Sequence, residues 1–247
     1  MNPSTDGRPR SGKRVAIVQS NYIPWKGYFD IINSVDEFIL YDDRQYTRRD
    51  WRNRNLIKTE HGLRWLTVPV RVKGRFTQRI DETAVDDPAW APRHWKTIEQ
   101  AYVRAAHFGE YRDAVGAMYA GVAGCTLLSD VNRRLLEGIC SLLGIETRIS
   151  WSTDYDGAGD RTERLVSLCQ AAGASEYLSG PSARAYIDET CFEAAGVRLV
   201  YADYSGYPEY PQLNGKFEHG VTILDLIFNA GPAATAYMKS FVPAIAS

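Results

Sequence analysis

The sequence predicts an α/β protein with a parallel-sheet core and a helical insertion. Three observations predict it. Short apolar runs alternate with helical patterns near the N-terminus, the same alternation returns over roughly the last hundred residues, and a purely helical stretch lies between. The 247 residues are 45% hydrophobic and 24% charged, a balance that excludes a fibrous repeat or long-range disorder. Residues 1–13 read as a flexible N-terminal tail. Residues 14–247 read as a single α/β domain, with two lobes (14–120 and 121–247) as the alternative.

Val15-Ala-Ile-Val18 is a short apolar run and reads as a buried first strand. Gln19 to Lys26 form a loop containing Pro24, Gly27 to Asn33 have helical spacing, and Glu37 to Tyr41 form a second strand. This β-loop-α-β unit is the opening of a Rossmann-like or nucleotidyltransferase-like sheet, in which the loop after the first strand lies at the ligand-binding edge. Trp65 to Val70 reads as a strand, with Pro69 hinting at an edge. Pro88 to Tyr119 reads as two helices broken near His107-Phe108-Gly109. A further helix runs from Ser129, as N-cap, to Leu143, with Gly144 as its stop. Arg148 to Trp151 is strand-like, Thr162 to Ala172 helical, and Glu176 to Leu178 a short strand. Pro181 opens a helix, Val197 to Tyr201 is a strand, and Thr222 to Phe228 is helical.

The N-terminus carries no apolar signal region, and no apolar run approaches the roughly 20 residues that span a bilayer, so the sequence predicts a cytoplasmic protein without membrane insertion. Cys125, Cys140, Cys169 and Cys191 are widely spaced among apolar neighbours and read as four buried, reduced thiols. Gly7-x-x-x-x-Gly12-Lys13 matches part of a phosphate loop. It continues with Arg14 where Ser or Thr is needed, and it precedes the first strand instead of following one.

The formal net charge of −1 hides an uneven distribution. Between Arg44 and Arg79 stand eleven basic residues against two acidic ones, Asp50 and Glu60. Five of the six tryptophans (Trp25, Trp51, Trp65, Trp90 and Trp95) fall within or beside this segment. Arginines beside aromatic rings suit the clamping of a phosphate or carboxylate and stacking on a sugar or base. The cluster Arg48-Arg49-Asp50-Trp51-Arg52-Asn53-Arg54-Asn55 is therefore a candidate binding surface. Its asparagines are suited to hydroxyls and are poor material for strands or helices. The plainer alternative for any one of these side chains is core packing or simple solvation.

Asp42-Asp43, directly after the second strand, are candidates to orient a ribose, hold Mg²⁺ or act as a base; the alternative is a turn or cap. Asp154-Tyr-Asp156 resembles the metal-binding Asp-x-Asp of nucleotide-sugar glycosyltransferases, although that spacing is also a common loop composition. The histidines make no metal spacing, and no metal site is expected. His94 is the general-base candidate, with His219 second. Ser179-Gly-Pro-Ser182 presents backbone N–H groups before a Pro-initiated segment, a natural anion site. Gly157-Ala-Gly-Asp-Arg-Thr162, with Arg161 and Arg164, also feeds a helix N-terminus.

Gln19-Ser-Asn-Tyr-Ile-Pro-Trp-Lys-Gly-Tyr-Phe29, Tyr41-Asp-Asp-Arg-Gln-Tyr46 and Trp51-Arg-Asn-Arg-Asn55 resemble the successive motifs of the WbqC-like protein family. Leu143 to Thr147, Gly173 to Gly180, Tyr186 with Phe192 and Gly196, Tyr210-Pro-Gln212 and Thr222 to Asn229 agree as well. Members of that family are associated with bacterial surface-polysaccharide clusters, including O-antigen, and with natural-product pathways. The resemblance implies an enzyme forming an amide, glycyl among the candidates, on an amino sugar. It also places the site at Gln19, Asn21, Gly27, Tyr28, Asp42, Asp43, Gln45, Asn53, Arg54 and Asn55. Lys26, Arg52, Ser179, Gly180 and Tyr186 join them as candidate substrate contacts. The loop Asn21-Tyr-Ile-Pro-Trp-Lys26 departs from the Tyr-Phe-Phe-Pro-Tyr-Ile form of other members.

Three functions fit this reading. The first is an aminoacyl or acyl transferase or ligase acting on a nucleotide-linked amino sugar, its donor made with ATP or delivered as a thioester on a carrier or as a charged tRNA. The second is a nucleotidyltransferase-like enzyme activating a small acid or sugar; its fold analogues carry a His-x-Gly-His-like signature where this chain has Trp25-Lys-Gly-Tyr28. The third is a non-catalytic nucleotide-sugar-binding protein.

Overall fold

The computed structural model describes residues 12–241, and β1 begins at Lys13 within the predicted tail. Most of that tail, and Gly7 of the partial phosphate-loop match, lie outside the described residues. Five strands form an all-parallel sheet: β1 (Lys13–Val18), β2 (Glu37–Leu40), β5 (Arg148–Trp151), β6 (Ala174–Ser179) and β7 (Arg198–Tyr201), in the order β5-β2-β1-β6-β7. The order reverses between β1 and β6. One branch of the sheet grows outward from β1 through β2 and the other through β6, which makes that pair a topological switch point.

Alternation along β1 shows how the sheet is covered. Val15 and Ile17 pack with Leu165, Leu168 and Cys169 of α5 (Arg161–Ala171) and Phe192 of α6 (Glu189–Ala194). Ala16 faces the opposite layer, with Phe29 and Ile32 of α1 (Lys26–Asn33) and with the helical insertion. That insertion is α2 (Trp90–Tyr102), α3 (Phe108–Val122) and α4 (Leu128–Leu143); α7 (Ile223–Ala230) joins the same layer. Each fully buried Phe or Ile contributes about 1.5–3 kcal/mol relative to exposure. A sheet apolar on both sides is therefore stable only with helices on each.

The predicted α/β parallel sheet with a helical insertion is the observed fold. α4 ends at Gly144 in the left-handed region (φ 71°), as its position foretold. Four local readings are corrected. The basic segment forms an antiparallel hairpin, β3 (Arg54–Thr59) with β4 (Gly62–Thr67), so Asn55 lies in a strand; Ile57 packs inward, and Gly62 supplies the φ of 101° that the tight turn needs. Pro181 opens a short 3₁₀ turn, Pro181–Ala185, in place of an α-helix. Ser129 lies inside α4, with its hydroxyl committed elsewhere, while Leu127 takes the cap position. Of the four thiols only Cys140 and Cys169 are buried, each pushed up to about 12 by burial; Cys125 and Cys191 are half-buried. Among the described residues no helix is long and apolar enough to cross a membrane.

Candidate functional site

A cleft of about 500 Å³ opens at the carboxyl ends of β1 and β6, at the switch point. Its floor is Val18, Gln19 and Ser179. One wall is Tyr41, Arg44 and Gln45, which follow β2, together with Arg52 from the loop before β3. The facing wall is Arg161, Thr162 and Leu165 from the first turns of α5, and Gly180, Ser182 and Tyr186 close the rim. Three guanidinium side chains and, among the described residues, no carboxylate line this space. Such a surface selects an anion.

Two of these cations, Arg44 and Arg52, are held by specific neighbours. Asp43 pairs with Arg44 at 3.0 Å and with Arg164 at 2.7 Å, and accepts from Ser152 Oγ at 2.8 Å. Burial works against its charge, but these hydrogen bonds and the two guanidinium charges outweigh it and hold the carboxyl below its ordinary range. Arg44 also lies over the Tyr41 ring, 4.7 Å from its centroid. Arg52 donates to the carbonyls of Gln19 (3.2 Å) and Ser20 (3.3 Å) and to the side-chain oxygen of Asn21. Tyr28 donates to the same Gln19 carbonyl at 2.9 Å, so the backbone after β1 is fastened from two sides. Arg161 adopts a φ of 39°, a conformation uncommon for a side chain with a Cβ.

Asp42 is 1% exposed, with one oxygen accepting from the Ser20 amide (2.8 Å) and the other from Ser129 Oγ. Burial raises its pKa more than those hydrogen bonds lower it. With Asp42 enclosed and Asp43 engaged by two arginines, the pair does not fit a magnesium site. Asp154 accepts from the Trp151 amide at 2.9 Å and closes a turn.

His94 does not line the cleft. Its Nδ1 is 2.8 Å from the Tyr22 hydroxyl, its ring meets Trp90 edge-on, and burial lowers its pKa to about 4. A hydrogen bond with the Thr67 backbone opposes that shift without reversing it. Lys26 is enclosed as well: its Nζ donates to the Pro208 carbonyl at 2.8 Å beside the Tyr207 and Tyr210 rings, and burial lowers it to about 8.

The asparagines serve the backbone. Asn53 donates to the Val68 carbonyl (2.9 Å), and Asn55 to those of Tyr22 (3.1 Å) and Ile23 (2.9 Å). Ile23, buried at φ 35°, is thus held in the left-handed region. That loop forms one side of a second, aromatic pocket of about 360 Å³, lined by Asn21, Trp25, Trp51, Tyr204 and His219. Gly27 lets the Trp25 ring pack against the start of α1, since a Cβ there would lie 2.3 Å from that ring. Arg54 stacks over Trp65 at 4.1 Å, outside the cleft lining.

The structure therefore brings Gln19, Gln45, Arg52, Ser179, Gly180 and Tyr186 together in one cleft and Asn21 and Asn55 in the neighbouring pocket. Asp42, His94, Lys26, Tyr28 and Asn53 lie behind these surfaces. Arg44 and Arg161 are the cleft residues that sequence reasoning underweighted. The signal for each was its place one residue beyond a strand-end aspartate or at the start of a helix.

The sequence model of the WbqC-like protein family matches residues 19–237. The chain belongs to the WbqC-like protein family. It is also 57% identical over 227 residues to the uncharacterized protein Rv1507c of Mycobacterium tuberculosis (strain ATCC 25618 / H37Rv), covering 92% of this chain and 98% of that one. No solved structure matches. The WbqC-like match begins at Gln19, on the cleft floor, and passes through Tyr186 on its rim, so the family's sequence signal encloses the polar lining of the cleft.

Proposed function

We propose that this WbqC-like chain is a transferase or amide-forming ligase. It joins an acyl group, glycyl among the candidates, to the amine of a nucleotide-linked amino sugar or similar acceptor in surface-polysaccharide or natural-product biosynthesis. The observation that carries the reading is the cationic cleft: Arg44, Arg52 and Arg161 line it and, among the described residues, no carboxylate does, at the end of a parallel sheet where such folds bind nucleotides. The diphosphate would lie against the guanidinium groups, with the Ser179–Ser182 segment supplying backbone donors. The acceptor amine attacks the activated acyl carbonyl, the C–N bond forms, and the donor's leaving group departs with its electron pair and takes up the proton the amine loses.

Calorimetric titration with nucleotide-linked amino sugars tests the binding step, and mass spectrometry of the sugar after incubation with acyl donors tests the transfer. Arg44→Ala and Arg161→Ala should each weaken binding about 10-fold or more, the worth of a charge-assisted hydrogen bond. Binding of every phosphorylated ligand at wild-type strength by both variants rejects the assignment. The switch-point position equally favours nucleotidyl transfer from ATP or another triphosphate. Pyrophosphate release without an acyl carrier would select that second reading.

A further inference from the structure

The basic segment supplies more cations than the cleft uses. Arg48, Arg49, Lys73 and Arg75 are exposed and, among the described residues, form no ion pair with a carboxylate. The segment's own Asp50 is engaged by Thr47 Oγ1 (2.6 Å) and the Trp51 amide (2.7 Å). The same surface exposes large rings: Trp51 at 41%, Trp65 at 43% and Phe76 at 72%. Rings and cations interleave. Arg48 lies 5.2 Å from the Phe76 centroid, Arg54 lies over Trp65, and Trp51 meets Trp65 at 5.4 Å. Arg48 also donates to the Val72 carbonyl at 2.6 Å, and Arg54 to that of Arg49, which ties the two stretches into one face. A folded protein gains nothing from leaving such rings in water beside unpaired guanidinium groups, whereas a strand of stacked bases on a phosphate backbone satisfies both.

We propose that this face docks single-stranded nucleic acid. It is continuous with the cleft, because Gln45 lines the cleft while donating to the Phe76 carbonyl at 2.9 Å, and Arg52 lines it next to Trp51. A strand seated on Trp51, Trp65 and Phe76 therefore has its end at the cleft mouth. Resting on the transferase reading, such an RNA carries the acyl group as an ester on its terminal ribose. Attack by the acceptor amine forms the C–N bond and breaks the ester C–O bond, and the ribose oxygen leaves with the proton the amine loses.

Fluorescence anisotropy with a labelled single-stranded RNA of about 12 nucleotides tests the docking by itself. Saturable binding is expected. Its log affinity should fall against log salt with a slope of about −3, for four phosphates neutralised. Trp65→Ala should weaken binding about 5- to 100-fold, and Lys73→Ala with Arg75→Ala should reduce the slope by about 1.4. The two cation variants touch no core and keep the test informative if the tryptophan variant fails to fold. The proposal is overturned by absence of binding at about 50 mM salt. Equal binding of a duplex of the same length together with indifference to Trp65→Ala overturns it too, since that is the behaviour of a plain polyanion patch. Sugar-nucleotide titration of the same variants separates the two readings. Wild type that binds a sugar nucleotide but no RNA faults this face alone, and wild type that binds RNA but no sugar nucleotide faults the cleft.

Discussion

Ser129 Oγ donates to the Asp42 carboxylate across 87 residues of sequence, fastening the first turn of α4 to the end of β2. Asn132, one turn on, donates to Ser20 Oγ and to the Arg52 carbonyl, both at 2.9 Å. The aspartate beside the cleft thus organises the junction between the helical insertion and the sheet. Ser129→Ala leaves a buried carboxylate short of a donor and should cost about 1–3 kcal/mol in urea denaturation. Because folding raises the Asp42 pKa, the contribution of this group to stability is full below about pH 3.9 and is lost as pH rises through the folded value. Asp42→Asn should remove that decline; an unchanged pH profile would show that another group controls it.

His94 gives the opposite pH signature. Its folded pKa of about 4 lies below the ordinary 6.5, so its contribution is present above that ordinary value and is lost as pH falls toward 4. The span corresponds to about 3 kcal/mol at most. His94→Gln should flatten thermal stability between about pH 6.5 and 4. Nucleotide-sugar binding at pH 7.5 should stay at wild-type strength, because the ring packs against Tyr22 and Trp90 and does not line the cleft.

The cleft separates arginines that look equivalent in the sequence. Arg44→Ala removes a cleft cation, while Arg54→Ala removes a partner of Trp65. Titration with one phosphorylated ligand should show a loss of about 10-fold or more for the first and less than about 2-fold for the second. Asp43→Asn, which releases Arg44 and Arg164 together, should weaken the ligand as well and lower stability above the ordinary carboxylate range. Equal losses from Arg44→Ala and Arg54→Ala would place the ligand on the hairpin instead.

Asn55→Ala frees the Tyr22 and Ile23 carbonyls and should lower the melting temperature by about 2–8 °C, from about 1–2 kcal/mol. The aromatic pocket should loosen with it, because Trp25 and Trp51 flank the released loop. Acrylamide quenching of tryptophan fluorescence should rise. A variant with unchanged quenching would show that the remaining hydrogen bonds, from the Tyr22 amide to the Trp51 carbonyl and from the Ile223 amide to the Pro24 carbonyl, suffice to hold the loop.

Much of this was legible in the residues. The run Val15-Ala-Ile-Val18 marked a buried strand because it is apolar on both faces, and Gly144 marked a helix stop because it supplies a positive φ. The motif residues Gln19, Gln45 and Ser179 were drawn to one cleft because strand ends converge there. What could not be read was which side chains face the backbone. Asn53 and Asn55 look like ligand donors in a polar string, yet their amides satisfy carbonyls up to 33 residues away, and no local pattern encodes those partners. His94 looked like a base because it is a histidine in a polar stretch; only packing against Tyr22 and Trp90 shows it held neutral. The hairpin was missed because arginine and asparagine oppose strand propensity, and the inward packing of Ile57 and Leu66 overrides that preference.

The placement of β1 sets a timetable for the growing chain. Val15 pairs on one side with Glu37, which follows within a helix's length, and on the other with Tyr177. During synthesis the second edge of β1 waits, unpaired, while the hairpin and three helices of residues 41–147 emerge ahead of its partner. Few local contacts can hasten that closure, and it belongs to the slow class of non-local parallel pairings. Until β6 arrives the cleft lacks Ser179 of its floor and the rim that follows it. Ligand recognition therefore waits for the pairing of β1 with β6.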